Sequence, residues 1–208
     1  MGYLCNYCKS WKFDGSSLLC EECSHFWNIQ KNAMTPLKNS ADCKNQIDIA
    51  YPYNDFTRKL VLEAKVNGDP HSQRVLLHLG SRFFHELIQT RDFSWVEAVC
   101  PAPSSLWSRW HGKSDIAFEI ALCLSKILRK KLISSPLALS WTIRKRSKNK
   151  QFQSNLRTLN WKAQGPHQPK ILFVDDVVTT GLTLNNLAQY FNQSPANAFV
   201  FAGKIKRS

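Results

Sequence analysis

Apolar and polar positions follow two rhythms along this chain. Phe56, Leu60, Val61 and Ala64 have helical spacing, and Asn67-Gly68-Asp69-Pro70 stops the run. Val75, Leu76, Leu79, Phe83 and Leu87 predict a second helix. Val96 to Cys100 is short and mostly apolar, and Pro101-Ala102-Pro103 halts it as expected for a buried strand. Ser114 is placed to cap a helix whose inner face is Ile116, Ala117, Ile120, Ala121, Leu124, Ile127 and Leu128. Leu137, Leu139 and Trp141 alternate as in a strand. Ile171-Leu172-Phe173-Val174 suits a central strand buried on both faces. Leu184, Leu187 and Phe191 then face inward from a helix, and Ala198 to Ala202 forms a last short strand. This alternation predicts an α/β fold with a mainly parallel sheet flanked by helices. Residues 1–30 carry no long amphipathic pattern, and residues 31–50 read as a polar connector.

The chain has 208 residues, enough for one domain with a small accessory module. The expected division is residues 1–45 as the module with its connector and residues 46–208 as the α/β domain. Apolar residues at 43% and charged residues at 21% exclude wholesale disorder. No apolar run approaches the roughly 20 residues of a membrane helix, and no signal peptide is expected. Charge changes the picture more. Lys and Arg number 28 against 15 Asp and Glu, a formal net charge of +13. Such a chain favours a polyanionic partner: nucleic acid, nucleotide phosphates or an acidic membrane surface.

Seven cysteines stand at 5, 8, 20, 23, 43, 100 and 123. The odd count, with no secretion signal, favours a reduced cytosolic setting over a disulfide framework. Cys5-x2-Cys8 and Cys20-x2-Cys23 are separated by eleven residues. Each pair can place two sulfurs on one tetrahedral ion, and four thiolates form a closed structural zinc site. The alternatives are a redox pair or chance clustering. His25 reads as a surface or packing residue rather than a substitute ligand, and Cys43, Cys100 and Cys123 as ordinary thiols. His71, His78 and His85 recur every seven residues, about 10.5 Å apart on a helix, too far for one metal.

The densest chemistry is Ile171-Leu172-Phe173-Val174-Asp175-Asp176-Val177-Val178-Thr179-Thr180-Gly181-Leu182-Thr183. A buried strand delivers two carboxylates at its C-terminal end, where open α/β sheets bind ligands. The Thr-Thr-Gly-x-Thr loop then opens a helix whose amides, with the hydroxyls, suit a phosphate. Paired acids beside a phosphate cradle suit a phosphorylated ribose with Mg2+. The plainer alternative is an Asp-Asp helix cap.

This segment resembles the signature of type I phosphoribosyltransferases. The resemblance implies that Asp175 and Asp176 hold the ribose hydroxyls of phosphoribosyl pyrophosphate (PRPP). It assigns them the catalytic role of stabilising positive charge on the ribose ring. Thr179, Thr180, Gly181 and Thr183 would hold the 5′-phosphate, with Mg2+ bridging pyrophosphate and ribose oxygens. The reaction implied is displacement of pyrophosphate by a nitrogen nucleophile. With the four-cysteine knuckle, the whole chain resembles the ComF/GntX group of competence-related proteins. Tyr51-Pro52-Tyr53, Arg58, Leu60, Lys65, Gly68 and Asp69 resemble that group's aromatic entry and Lys-x-x-Gly-Asp signature. Pro101-Ala102-Pro103 resembles its Pro-Val-Pro, and Arg144, Arg146, Gln151, Arg157 and Asn160 its Arg-rich segment. His111-Gly112-Lys113-Ser114-Asp115 retains only the glycine of the group's Arg-Gly-Phe-Asn-Gln-like run.

The group resemblance implies natural transformation, with handling of single-stranded DNA in the cytoplasm. Other competence proteins would be partners, with peripheral attachment to the inner membrane through them. Arg144, Lys145, Arg146, Lys148 and Lys150 put five basic residues into seven, flanked by Trp141, Phe152 and Trp161. Cations can track phosphates while aromatics stack bases; a pyrophosphate clamp or a solvated charge run is the alternative. Two other functions remain open: nucleobase salvage by a true phosphoribosyltransferase, and regulation by a non-catalytic PRPP sensor.

Overall fold

A computed structural model describes residues 3–12, 18–32, 46–103, 115–135, 169–193 and 197–203. Strands β1 (Tyr3–Leu4) and β2 (Trp11–Lys12) pair antiparallel. Helix α1 (Glu21–Asn32) follows. Next come strand β3 (Gln46–Pro52), helix α2 (Asp55–Leu62), a π-helical turn (Glu63–Asn67) and helix α3 (Pro70–Thr90). Strand β4 (Ala98–Pro101), helix α4 (Ile116–Leu128) and strand β5 (Lys131–Leu132) lead to strand β6 (Ile171–Val178). Helix α5 (Leu182–Tyr190) and strand β7 (Asn197–Gly203) complete the described elements. The five larger-sheet strands run in the order β3-β7-β6-β4-β5, and every pairing is parallel.

Period-two alternation builds a core on each face of this sheet. Leu172, Val174, Phe199 and Phe201 turn to one side and pack with Leu76, Leu79 and Phe84 of α3 and Ile120 and Leu124 of α4. Ile171, Phe173, Ala198 and Val200 turn to the other and pack with Leu184, Leu187 and Ala188 of α5. Burial on both faces explains the unbroken apolar runs in β6 and β7.

Local chemistry sets the helix boundaries. Asn54 caps α2 by accepting from the amides of Phe56 and Thr57, and Thr57 Oγ1 accepts from Asn54 N in return. Asp69 caps α3, with Pro70 at its first turn. Asp115 caps α4 by accepting from Phe118 N, which replaces the expected Ser114 cap. Its carboxylate supplies the same acceptor one residue later.

Two expectations change. Residues 21–32 form α1, although the first 30 residues show no helical pattern of ordinary length. The stripe is short and partly made of a cysteine: Cys23 and Trp27 are buried and Phe26 is half-buried. The connector read over 31–50 contains the start of β3, in which buried Ile49 and Tyr51 flank Ala50. Asp48 makes this stretch look polar, but it pairs with Arg91 at 2.5 Å. The strand expected at Leu137, Leu139 and Trp141 lies outside the described residues. Among the described residues, no helix is long and apolar enough to cross a membrane.

Candidate functional site

The four N-terminal cysteines converge. The sulfurs of Cys5, Cys8, Cys20 and Cys23 all lie within 4.8 Å of one another, so the group can hold one metal ion. Sulfurs about 2.3 Å from a tetrahedral zinc lie about 3.8 Å apart. Cys8 and Cys20 stand 3.9 Å apart, close to that separation. The backbone shapes the knuckle: Lys9 adopts a left-handed conformation at φ 62°, and its amide returns to Cys5 O. The Cys20 amide points at Cys5 Sγ at 3.4 Å, an arrangement that favours a thiolate. Burial pushes the Cys23 thiol up, reinforced by the sulfurs of Cys20 and Cys8. Burial also raises Cys8, but hydrogen bonds with Ser10, Cys5 and Cys23 bring it down to about 6. His25 is exposed and stands outside the metal-binding group.

The knuckle is continuous with the sheet core. Cys5, Cys20, Cys23 and Trp27 belong to the same buried cluster as Tyr51 and Phe201. Trp27 meets Tyr51 edge-on at 5.3 Å, and Tyr51 meets Phe201 at 5.2 Å. Polar contacts join the knuckle to α3. Asn6 Oδ1 and His71 Nδ1 are 2.7 Å apart, and Lys9 Nζ stands 3.7 Å from Asp69 Oδ2.

A second candidate site lies where β6 passes into α5. Strand β6 runs through the acid pair to Val178 rather than ending at Val174. Asp175 and Asp176 are both buried, at 8% and 4% exposure. Asp175 Oδ1 accepts from Asp176 N at 2.8 Å, and Asp176 Oδ1 accepts from Val177 N at 3.0 Å. Burial raises the Asp175 carboxyl well above its ordinary value, and the charge and side-chain hydrogen bonding of Asp176 raise it further. Lys65 pulls in the opposite direction without reversing this. Asp176 faces the Lys65 ammonium at 2.5 Å.

The following loop rises from the sheet edge. Thr179 and Thr180 are exposed and Thr183 is half-buried. Gly181 caps α5 in a left-handed conformation at φ 70°, without a side-chain cap hydrogen bond. Leu182 N approaches Thr180 Oγ1 at 3.4 Å. A nine-residue helix thus begins beside exposed hydroxyls, with three residues separating it from the end of an acid-bearing strand. This arrangement can receive a phosphate at the loop and hydroxyls at the carboxyl pair.

Pro101 ends β4 beside Val174 of β6, and Ala102 N donates to Val174 O at 2.6 Å. This brings Pro101-Ala102-Pro103 to the same C-terminal edge of the sheet. Arg144, Lys145, Arg146, Lys148, Lys150, Arg157 and Asn160 lie outside the described residues, as do His111, Gly112 and Lys113. His71 bonds to the knuckle, His78 is half-buried with its pKa lowered first by burial, and His85 is exposed. Cys100 is buried, with its thiol pushed up to about 12, and Cys123 is half-buried. The pairing of Lys65 with Asp176 spans 111 residues and has no local sequence signal. No family model, curated protein or solved structure matches the chain.

Proposed function

We propose that the β6–α5 corner binds phosphoribosyl pyrophosphate in the manner of a type I phosphoribosyltransferase, and that the chain is a ComF-like protein of natural competence. The observation that supports this reading most is the buried Asp175–Asp176 pair followed by an exposed Thr-Thr-Gly-x-Thr loop at a helix N-terminus. In this account Asp175 and Asp176 receive the ribose 2′- and 3′-hydroxyls. Thr179, Thr180 and Thr183, with the first amides of α5, hold the 5′-phosphate. The left-handed Gly181 keeps a Cβ away from that phosphate. If a nitrogen nucleophile displaces pyrophosphate, the acid pair faces the ring on which positive charge develops. Asp175 and Asp176 would hold the Mg2+ that accompanies PRPP, which would supply positive charge against the pyrophosphate.

Structural Zn2+ is the metal best suited to the knuckle, because four sulfur ligands leave no open position for chemistry. Single-stranded DNA is the proposed second partner, consistent with the net charge of +13. Arg144, Arg146, Lys148 and Lys150 are its proposed contacts. The reading places the protein in the cytoplasm, peripheral to the inner membrane through other competence proteins.

Ligand-linked melting tests the PRPP site. PRPP with Mg2+ at about 100 times its Kd should stabilise the wild type by about 2.7 kcal/mol. An Asp175→Asn/Asp176→Asn variant, folded and zinc-loaded, should show no such gain. An equal gain in that variant would overturn the assignment. Single-stranded DNA affinity should fall steeply with salt; salt-independent binding, or none, would remove the DNA half of the proposal.

A further inference from the structure

Lys65 lies in the only π-helical turn among the described residues, between α2 and α3. Such turns frequently occur at functional sites. Neighbouring groups fix this one in place. Ala64 is fully buried, and its carbonyl accepts from Gln73 Nε2 at 3.2 Å. Gly68 ends the turn in a left-handed conformation at φ 68°, and its amide returns to Glu63 O. Asp69 N also donates to Glu63 O, while the Asp69 carboxylate binds Ser72 N at 2.8 Å. The Ser72 hydroxyl reaches both Asp69 and Glu63. The Asn6–His71 and Lys9–Asp69 contacts join the start of α3 to the knuckle.

The Lys65 side chain crosses from this braced turn to the acid pair. Its ammonium is 2.5 Å from Asp176 Oδ2, yet 45% of the side chain remains exposed. Burial alone would lower its pKa. Asp176 at contact, then Asp175 and Asp115, outweigh that and leave it raised, so the ammonium stays charged. The contrast with its partner matters: Asp176 has only 5% side-chain exposure. A buried carboxylate therefore meets a cation whose side chain is nearly half exposed to solvent. Asp176 is one of the oxygen sources available to a ribose hydroxyl or divalent cation, and Lys65 occupies that approach.

We infer that Lys65 is an exchangeable counter-ion of the Asp175–Asp176 pair: it neutralises the ligand-free site, gives way to a divalent cation, and turns its ammonium toward the phosphates of the incoming ligand. The identity of that ligand rests on the PRPP reading above; the exchange at the carboxylates does not. A lysine that merely supported the fold would weaken every ligand together when removed. An exchangeable counter-ion affects two ligands in opposite directions. Without it the carboxylates attract a metal cation more strongly, while the polyphosphate loses a positive neighbour.

The test uses zinc-loaded full-length wild type, Lys65→Met and Lys65→Arg. Mn2+ alone is titrated by water-proton relaxation, and PRPP with Mg2+ by calorimetry. Lys65→Met should bind Mn2+ about tenfold more tightly than wild type and PRPP about tenfold more weakly. Lys65→Arg should stay within about threefold of wild type in both titrations, because its charge remains. Adding Asp176→Asn to Lys65→Met should remove the Mn2+ gain. The inference fails if Lys65→Met binds Mn2+ no more tightly than wild type. It also fails if wild type binds PRPP and Lys65→Met binds it equally tightly. If no protein binds PRPP but the Mn2+ pattern appears, the counter-ion assignment stands and the PRPP reading falls.

Discussion

Gly203 occupies a place where a single added carbon should be felt at both the sheet and the site. It ends β7, between Pro52 of β3 and Val178 of β6, and its carbonyl accepts from Tyr53 N at 2.8 Å. A Cβ there would lie 2.5 Å from Ile49 Cδ1, 2.9 Å from Val178 Cγ1 and 3.1 Å from Ile49 Cγ2. The Ile49 Cδ1 methyl can rotate away. The other two carbons belong to β-branched centres with stiff χ1 angles, so they move only with the backbone or into poor rotamers. Overpacking of this kind costs about 1–3 kcal/mol. At about 2–4 °C per kcal/mol for a chain of this size, Gly203→Ala should lower Tm by about 2–12 °C. Val178 adjoins Thr179, so the same displacement should weaken ligand binding at the loop. The assay is a thermal melt of wild type, Gly203→Ala, Val178→Ala and the double variant. Removing Val178 Cγ1 relieves a contact that cannot rotate away, so the double variant should be more stable than the sum of its single losses by at least about 0.5 kcal/mol. A Gly203→Ala melt within about 1 °C of wild type, or strictly additive losses, would refute the packing argument.

Three other outcomes follow from the structure. Gly181→Ala meets open space but must hold φ near 70°, so denaturant melts should show a loss of about 1–2 kcal/mol from backbone strain alone, with Gly181→Asn less affected. Asp175→Asn should raise Tm at neutral pH while abolishing ligand binding. The folded carboxyl titrates above its ordinary 3.8, so its favourable contribution is complete below that value and is lost as pH rises toward the folded value. The Tm difference between Asp175→Asn and wild type should therefore shrink toward about pH 4, and a difference that grows on acidification would contradict a carboxyl raised by burial. Cys20→Ser should lose the metal in elemental analysis. It should also lower the melting temperature of the whole protein, because Cys20 shares one core with Tyr51 and Phe201; an unchanged metal content and Tm would dismiss the metal knuckle.

The sheet domain was legible because its strands are buried on both faces and its helices carry full apolar stripes. Leu172, Phe173 and Val174 could only suit a central strand, and Leu184 and Leu187 an inward helix face. The four-cysteine cluster was legible by spacing, since two Cys-x2-Cys pairs need little long-range information to bring their sulfurs together. Helix α1 was harder to see because a metal-site cysteine supplies part of its stripe and its remaining burial depends on Tyr51 from another element. Strand β3 was obscured by Asp48, whose charge is compensated by Arg91 from beyond α3. At the site, Asp175, Asp176 and the Thr179–Thr183 loop could be read together because one strand–turn–helix unit carries them. Lys65 arrives from a different part of the chain, and only the fold brings its charge to Asp176.

The most direct measurement is calorimetric titration of the zinc-loaded protein with PRPP in Mg2+, beside the Asp175→Asn/Asp176→Asn variant. The account predicts saturable binding of one PRPP per chain in wild type and no measurable heat of binding in the variant. A folded, zinc-loaded wild type that binds no PRPP, or a double variant that binds it equally well, would contradict the assignment of this corner.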